Sequence, residues 1–543
     1  MNDVVRQFAA LGFLATLGVG ACDIPCEKTL TCPGGIGGED HVGGGTSIGG
    51  GTGGTPLGEP CDGDSDCSSG FCVDQVCCES ACSGTCETCD TSGLCTAVPG
   101  GSNPDGECGD AVCSGAGWCA EGTPAWATGF AGGAIDSIGD VTVDGDTPVA
   151  AIQFGDGLTL GNNSYSGAGL AVARFDALGA PTWSTAFAGM AGVATIDTCP
   201  NGDIVLGGLL LTSMDFGGGP LTPTAPYDLF VARITASGNH VWSGVFGAPG
   251  ELEVTGGLEC TAAGTFILGT FTQSLQFPPQ PQMTSLGDLD IFMALLAPNG
   301  TGVWSKSFGD PGSQAGSNLA ITPDGQLQIS GSFDGNLDFG GGPLTAGAGT
   351  TQYLAKFDIN GNHIWSRTVA EAPDMISEDF AFDSTGNLYL AGRFEGSAAF
   401  DGDVLAASGG TDAFLAKFDP LGEFAWARSF GNFNNQSAFG LAVSPEGFVV
   451  LGGYFTGSIQ PGDRAISSAG GDDAFLVAFS PAGDHVWSFA AGGPGDFQRV
   501  TAVELFDNGD FVAAGNFNGL MSVGNIPLTS TGETDIFLTR ITR

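Results

Sequence analysis

Seven tryptophans set the frame of this sequence. Trp126, Trp183, Trp242, Trp304, Trp365, Trp426 and Trp487 follow one another at intervals of 57–62 residues, and 56 residues remain after the last. Trp118 lies outside the register. Related phrases precede several of them, as in DLFVARITASGNHVW, DAFLAKFDPLGEFAW and DAFLVAFSPAGDHVW. Two apolar stretches flank a Gly-bearing turn there, which predicts a β-hairpin with Trp on its second strand. A second turn recurs at Asp144-Gly145, Asn201-Gly202, Gly264, Asp324-Gly325, Gly386, Gly447 and Asn508-Gly509. Apolar runs such as QLQISGSF, NLYLAGRF and GFVVLGGYF follow it. Each unit reads as four short strands with tight turns, of which only the last two strands meet across a short turn, and there is no capped helical pattern. Four strands in a repeat of about 60 residues predict a propeller blade rather than a solenoid coil.

The ends of the array agree with that reading. The last residues, DIFLTRITR, match the first hairpin strand of the other units but have no Trp strand after them. Ala125–Phe130, AWATGF, supplies one at the front. The expectation is an all-β fold: a closed seven-bladed β-propeller over 125–543, its N-terminal strand closing the last blade. Such closure removes exposed sheet edges.

The Gly-His and Trp-Asp marks of WD40 blades are absent. The pattern instead resembles SBBP β-propeller repeats: Asp-x-Phe-Leu-x-Lys-Phe, a Gly turn, Trp-Ser-x-x-Phe-Gly, then a D-x-x-G strand. Asp412 to Gly431 matches it best, and the first unit departs from it with Gly169 and Ala171. The resemblance implies fold and an extracellular location, not an activity.

Residues 1–21 read as a lipoprotein signal peptide: Arg6, an apolar stretch from Phe8 to Val19, then Val19-Gly20-Ala21-Cys22, which resembles a bacterial lipobox. In that family the cysteine carries the lipid, so Cys22 is the expected acylation site. An ordinary secretory signal is the alternative, and both export the chain to an oxidising compartment. Residues 22–60 form a Gly-rich tether, with 13 glycines in 33–60, and Cys26 with Cys32 are placed to close a small loop before it. Residues 61–119 hold twelve cysteines: Cys61, Cys67, Cys72, Cys77, Cys78, Cys82, Cys86, Cys89, Cys95, Cys108, Cys113 and Cys119. So short a segment, poor in large aliphatics, needs covalent staples, and a small disulfide-rich module is expected with its pairing undetermined. Cys86 and Cys89 have zinc-ligand spacing, but the segment lacks histidine. It resembles a cysteine-rich module of exported myxobacterial proteins, for which a spacer role is expected. Cys199 and Cys260 precede equivalent turns in adjacent units, which predicts a disulfide between blades.

Only 14 basic residues stand against 59 acidic ones, for a net charge of −45. That argues against a nucleic-acid partner, which needs phosphate neutralisation, and leaves lipid as the expected means of membrane attachment. The acids Glu251, Glu253, Asp310, Glu371, Asp374, Glu378, Asp379 and Asp496 read as linker residues gathered on one propeller face. They are the candidate binding face for Ca²⁺ or a cationic partner, although no EF-hand or RTX spacing is present; no metal site or other cofactor is expected with certainty of place. His240, His363 and His485 each stand two residues before a Trp in separate units and cannot converge on a metal. Asp358 to Trp365 only superficially resembles a sialidase Asp-box. No nucleophile elbow or triad is evident, so no catalytic residue is assigned. The expected function is a noncatalytic binding or scaffolding protein of the bacterial cell envelope, taking a glycan or a surface protein as partner. An envelope glycan lyase or hydrolase using linker acids, and a Ca²⁺-stiffened structural protein, are the alternatives.

Overall fold

The computed structural model describes residues 122–543 apart from 131, 225–226, 248–252, 348, 371, 373, 463–464 and 496; the side chains of 193–194 and 253–255 are also left aside. Within 72–120 it describes only strand pairs: Cys72–Val73 with Val76–Cys77, Glu87–Cys89 with Cys95–Ala97, and Val112–Cys113 with Cys119–Ala120. The signal segment, Cys22, the tether and the cysteine side chains of the 61–119 module lie outside the described residues.

From Pro124 onward the chain is a seven-bladed propeller of four-stranded antiparallel sheets. Blade 4 shows the plan: Gln314–Ile321 is the innermost strand, followed outward by Leu327–Phe333, Thr351–Phe357 and His363–Thr368. Blades 1, 2, 3, 5, 6 and 7 begin at Asp136, Ala191, Glu253, Met375, Gln436 and Gln498. In blade 7 the third strand, Asp535–Ile541, pairs with Pro124–Phe130, so that Ile536 faces Phe130 and Arg540 faces Trp126. The second and third strands are covered on both faces where blade packs on blade; Leu327–Phe333 and Thr351–Phe357 are buried at every position, the polar Gln328, Ser330, Ser332, Gln352 and Lys356 included. Seven apolar clusters result, one at each junction of successive blades, with Ile536 and Leu538 of blade 7 packed among blade 1 residues.

The tryptophan register has a direct structural cause. Each Trp on an outer strand lies against the hairpin-turn glycine of the following blade: Trp183 on Gly238, Trp242 on Gly300, Trp304 on Gly361, Trp365 on Gly422 and Trp426 on Gly483. Trp487 lies on Gly122 and Trp126 on Gly179 in the same way. A Cβ at these glycines would stand 2.3–3.2 Å from the indole, and all seven have positive φ. Gly is therefore required there by contact and by backbone conformation together.

The Asp and Gly of the repeat phrase are explained as a pair. Asp290, Asp412 and Asp473 open third strands, and each accepts the backbone N–H four residues earlier, from Leu286, Ser408 and Ala469. Their carboxylates press on Gly309, Gly431 and Gly492, where a Cβ would fall 2.1–2.2 Å away. Blades 1 and 4 replace the Asp by Gly169 and Thr351, and there the glycine is replaced as well, by Ala188 and Ala370. In these two blades both positions change, whereas blade 7 keeps Asp535 with Ala131 at the glycine position.

One expectation needs correction. The last two strands are not the only pair to meet across a short turn, since the first and second do so at 322–326 in blade 4. The second and third strands are joined through a further two-stranded hairpin, Asn336–Asp338 with Pro343–Thr345 in blade 4 and a counterpart in each other blade. These strands are two to four residues long and contain Gly or Pro nearby, too short to register as alternation.

Cys199 and Cys260 are disulfide-bonded across a sequence separation of 61 residues, joining the ends of the innermost strands of blades 2 and 3. A loop of this size corresponds to about 4 kcal/mol in the loop-entropy model. The double variant Cys199→Ala/Cys260→Ala is expected to unfold at lower denaturant with the slope little changed; an unchanged midpoint would show that the bond adds nothing.

Candidate functional site

The innermost strands share one irregularity. In every blade the register against the second strand slips by one residue at the same place, leaving Gly139, Ala194, Gly256, Ser317, Glu378, Phe439 and Thr501 as the extra residues. Gly331, Gly392 and Gly453 lie opposite the slip, where a Cβ would come 2.0 Å from an innermost-strand carbonyl. Such a bulge re-aims the residues that follow it.

Carboxylates occupy those positions. Asp140 and Asp379 come directly after the extra residue, and Asp197, Glu259 and Glu504 come three after it. An innermost strand has one edge without a strand partner, and its N–H groups need acceptors. Asp140 accepts from Ile196 N–H of the next blade at 3.1 Å, Asp197 from Cys260 N–H at 2.6 Å, and Asp379 from Leu441 N–H at 2.9 Å. Glu259 is likewise held by the backbone of Ile321. These acids therefore clip the innermost strands of blades 1, 2, 3 and 5 to their successors. No hydrogen bond from a described residue reaches Glu504, and the charges it feels are Asp140, Asp379, Asp197 and Glu259, drawn from four other blades. The five carboxylates thus converge about the propeller axis.

Burial raises all of them. Asp140 is pushed up to about 7, Asp197 to about 6 and Asp379 to about 8, mainly because the charged form loses water, with backbone hydrogen bonds opposing. Glu259 and Glu504 are raised well above the ordinary range by burial and by neighbouring carboxylates. Glu378 is raised to about 7 by burial, against the pull of Arg393, whose guanidinium lies 3.6 Å away. Each carboxyl binds its proton more tightly folded than unfolded, so stability is fully present below about pH 4 and falls as pH rises through about 6–8. The melting temperature is expected to be lower at about pH 8.5 than at about pH 5.5. Glu504→Gln, which removes a carboxylate without a hydrogen bond, should raise the melt by a few degrees at the higher pH, by less at about pH 5.5, and not at all below about pH 4. A melt that climbs with pH would contradict this assignment.

The predicted acidic face does not assemble as expected. Glu251, Glu371 and Asp496 lie outside the described residues. Glu253 opens the innermost strand of blade 3. Asp310 organises its own loop, accepting from Gly312 N–H, Gln314 Nε2 and Asn336 N–H at 2.7 Å each. Asp374 is exposed just ahead of blade 5. Glu378 and Asp379 are not linker residues: Met375–Phe382 is a strand, and both acids lie half-buried within it. The bulge at Glu378 breaks the two-residue alternation, which is why the segment reads as a linker. Among the described residues, no three His, Cys, Asp or Glu side chains are grouped to hold a metal ion. His240 and His363 bond Ser243 and Ser366 of their own strands at 3.1 and 3.0 Å.

The sequence reading missed a cleft of about 460 Å³ at the junction of blades 6 and 7, lined by Phe433, Asn434, Asn435, Tyr454, Thr456, Asp472 and Arg499. Arg499, near the start of the innermost strand of blade 7, lies over the Tyr454 ring at 4.1 Å and the Phe497 ring at 4.5 Å. Tyr454 stacks in turn on Phe439, the bulge residue of blade 6, with centroids 5.6 Å apart. Asp472 accepts from Arg499 Nη2 at 2.5 Å and from the Thr456 hydroxyl at 2.8 Å. A signal was present in the sequence: arginine is rare in this chain, and no other blade has one at this position.

No family model matches the chain. It is 27% identical over 170 residues to regulatory protein FlaEY of Caulobacter vibrioides, covering 29% of this chain and 16% of that protein. It is 25% identical over 203 residues to an uncharacterised WD repeat-containing protein of Acanthamoeba polyphaga mimivirus, covering 31% of this chain and 14% of that one. Among solved structures, the Neurospora crassa Pan2 WD40 domain is similar over 75% of this chain and 89% of its own, at 10% identity and a TM-score of 0.35. A puromycin hydrolase is similar over 71% of this chain and 50% of its own, at 13% identity and a TM-score of 0.40. The propeller itself is defined by the strand registers within each blade.

Proposed function

We propose that this chain is an exported, lipid-anchored protein of the bacterial cell envelope, and that its propeller is a noncatalytic binding or scaffolding module for a glycan or a surface protein. The lipobox-like Val19-Gly20-Ala21-Cys22 supports the anchor, and the tether with the cysteine-rich module supports display away from the membrane. The SBBP-like repeat phrase supports an extracellular place. The pairing of Pro124–Phe130 with Asp535–Ile541 supports a closed ring, a rigid platform of the kind binding propellers use.

The observation that carries the binding reading is the cleft between blades 6 and 7. In a repeat protein the other units are the baseline, and several residues depart from it together at this one junction. The cleft lining carries one carboxylate, Asp472, held by Arg499 and Thr456. Paired-carboxylate glycoside chemistry needs two, roughly 5–9.5 Å apart. Incubating the full chain with isolated envelope material is expected to leave protein bound and to release no new sugar ends. Steady release of such ends would replace this reading with the hydrolase or lyase. Cys22→Ser should move the protein from the membrane fraction to the soluble one; retention there would remove the lipid anchor from the account.

A further inference from the structure

We propose that the cleft between blades 6 and 7 is a saccharide site that takes a neutral sugar ring against Phe433, an inference that rests on the binding reading above. The cleft departs from the repeat. Where blade 7 has Arg499, the other blades have Ser137, Gly192, Val254, Ala315, Ile376 and Ser437. The position of Asp472, just before the third strand, is acidic in no other blade. The turns, tryptophans and strand glycines are shared around the propeller; this charged pair occurs at one junction.

The cleft is also built in advance. Arg499 is fixed between Tyr454 and Phe497 and tied to Asp472. Its Nε has no hydrogen-bond partner among the described residues. The Phe433 loop is pinned by Asn432, whose Nδ2 donates to the carbonyls of Thr456 and Ser458 at 2.8 and 2.9 Å while its Oδ1 accepts from Asn434 N–H at 2.6 Å. The chain of blade 5 at Gly409 packs under Phe433, where a Cβ would stand 2.6 Å from its Cα. Phe433 is nonetheless 87% exposed, so a large aromatic ring is held in water by a rigid loop. Exposed aromatics in a preorganised setting are the anchors of binding sites.

The chemistry of the lining selects the ligand. A flat apolar ring beside Asn434, Asn435, Thr456, Asp472 and Arg499 fits a ligand with an apolar face and a rim of hydroxyls, which is a sugar ring. The two charges in the cleft neutralise each other, so an ionic ligand would have to break an ion pair that is already formed. The net charge of −45 further opposes an anionic one. An extended peptide would need an open strand edge or side-chain pockets, whereas the third and outer strands of blade 6 are paired. The volume of about 460 Å³ falls within the roughly 300–1,000 Å³ of small-molecule sites.

The test uses the full chain on an array of neutral oligosaccharides of gluco, manno, galacto, xylo and N-acetylglucosamine type, with uronate-containing and sulfated oligosaccharides beside them. Retention of at least one neutral class is expected. Phe433→Ala should weaken it about tenfold or more with the melting temperature unchanged, and Arg499→Lys, which cannot keep the planar stack, should weaken it as well. Retention of charged saccharides only, retention of none, or equal retention by Phe433→Ala would overturn the proposal. Envelope material treated with periodate or with protease separates this failure from that of the binding reading. Binding that survives periodate but not protease means a protein partner and overturns only the saccharide. Binding to neither untreated material nor the array overturns both.

Discussion

A chain that begins at residue 131 is expected not to give a stable monomeric propeller. It retains every strand of blades 1 to 6 and three of blade 7, but Asp535–Ile541 loses the partner that faces it from Ile536 to Ile541. The unpaired backbone then forms an open sheet edge, which invites pairing with another chain. Phe130 leaves the apolar cluster between blades 7 and 1, and Trp126 leaves Gly179 bare. Thr539 also loses the carbonyl of Trp126, to which its hydroxyl donates at 2.7 Å. Burial of two such side chains contributes about 2–3 kcal/mol each, before the backbone pairing is counted. Light scattering should therefore show oligomers or aggregates, and the melting temperature should fall by about 10 °C or more. A synthetic peptide covering 122–131 should restore the monomer, because the strand contributes through pairing rather than through its covalent link. A monomeric truncated chain with an unchanged melt would contradict the role given to this strand.

The second large effect concerns the glycines under the tryptophans. Gly300 has φ of 83° and would place a Cβ 2.6 Å from Cδ2 of Trp242. Gly325 has φ of 75°, and a Cβ added there would meet nothing within 4 Å. The two substitutions to alanine share the backbone penalty, about 1–2 kcal/mol for an L-residue in that region. Gly300→Ala adds an overpacked indole, about 1–3 kcal/mol more. Gly300→Ala should thus cost about 2–5 kcal/mol in denaturant unfolding, clearly more than Gly325→Ala. Its tryptophan emission should also shift to the red as Trp242, now buried, is displaced. Equal losses for the two variants would show that the indole contact does not matter and that backbone conformation alone explains the repeat.

What the sequence discloses of this fold follows from the strength of each local constraint. The Trp and turn-Gly positions are legible because a contact and a positive φ both demand them, in unit after unit. The Asp and Gly of the repeat phrase are legible for the same reason, since Asp412 and Gly431 share one volume. The outer hairpins are not legible, because segments such as Asn336–Asp338 are shorter than the period they would have to display. The axial carboxylates are hidden by the bulge: Asp379 follows an unpaired residue, so its strand lacks alternation and resembles an acidic linker. Aligning the units by that bulge brings Asp140 level with Asp379, and Asp197 level with Glu259 and Glu504. The cleft is the least legible feature. Phe433, Tyr454, Asp472 and Arg499 come from four separate segments in two repeats and meet only through the packing of blade on blade.

The axial carboxylates and the cleft divide the acidic character of the chain into two uses. About the axis, carboxylates accept backbone N–H groups between blades, at the cost of raised proton affinity. At the cleft, Asp472 fixes a guanidinium and cancels its charge. The overall acidity therefore does not point to a cation ligand, and the site proposed for binding is the one where charge is balanced.

The most direct measurement is equilibrium binding of the full chain to isolated envelope polysaccharide, comparing the natural sequence with two variants. One is Phe433→Ala/Arg499→Lys at the cleft; the other is Leu421→Ala, a 65% exposed residue on an outer turn of blade 5. The account predicts that the cleft variant loses about tenfold or more in affinity while folding normally, and that Leu421→Ala binds as the natural chain does. Equal binding by all three proteins would contradict it.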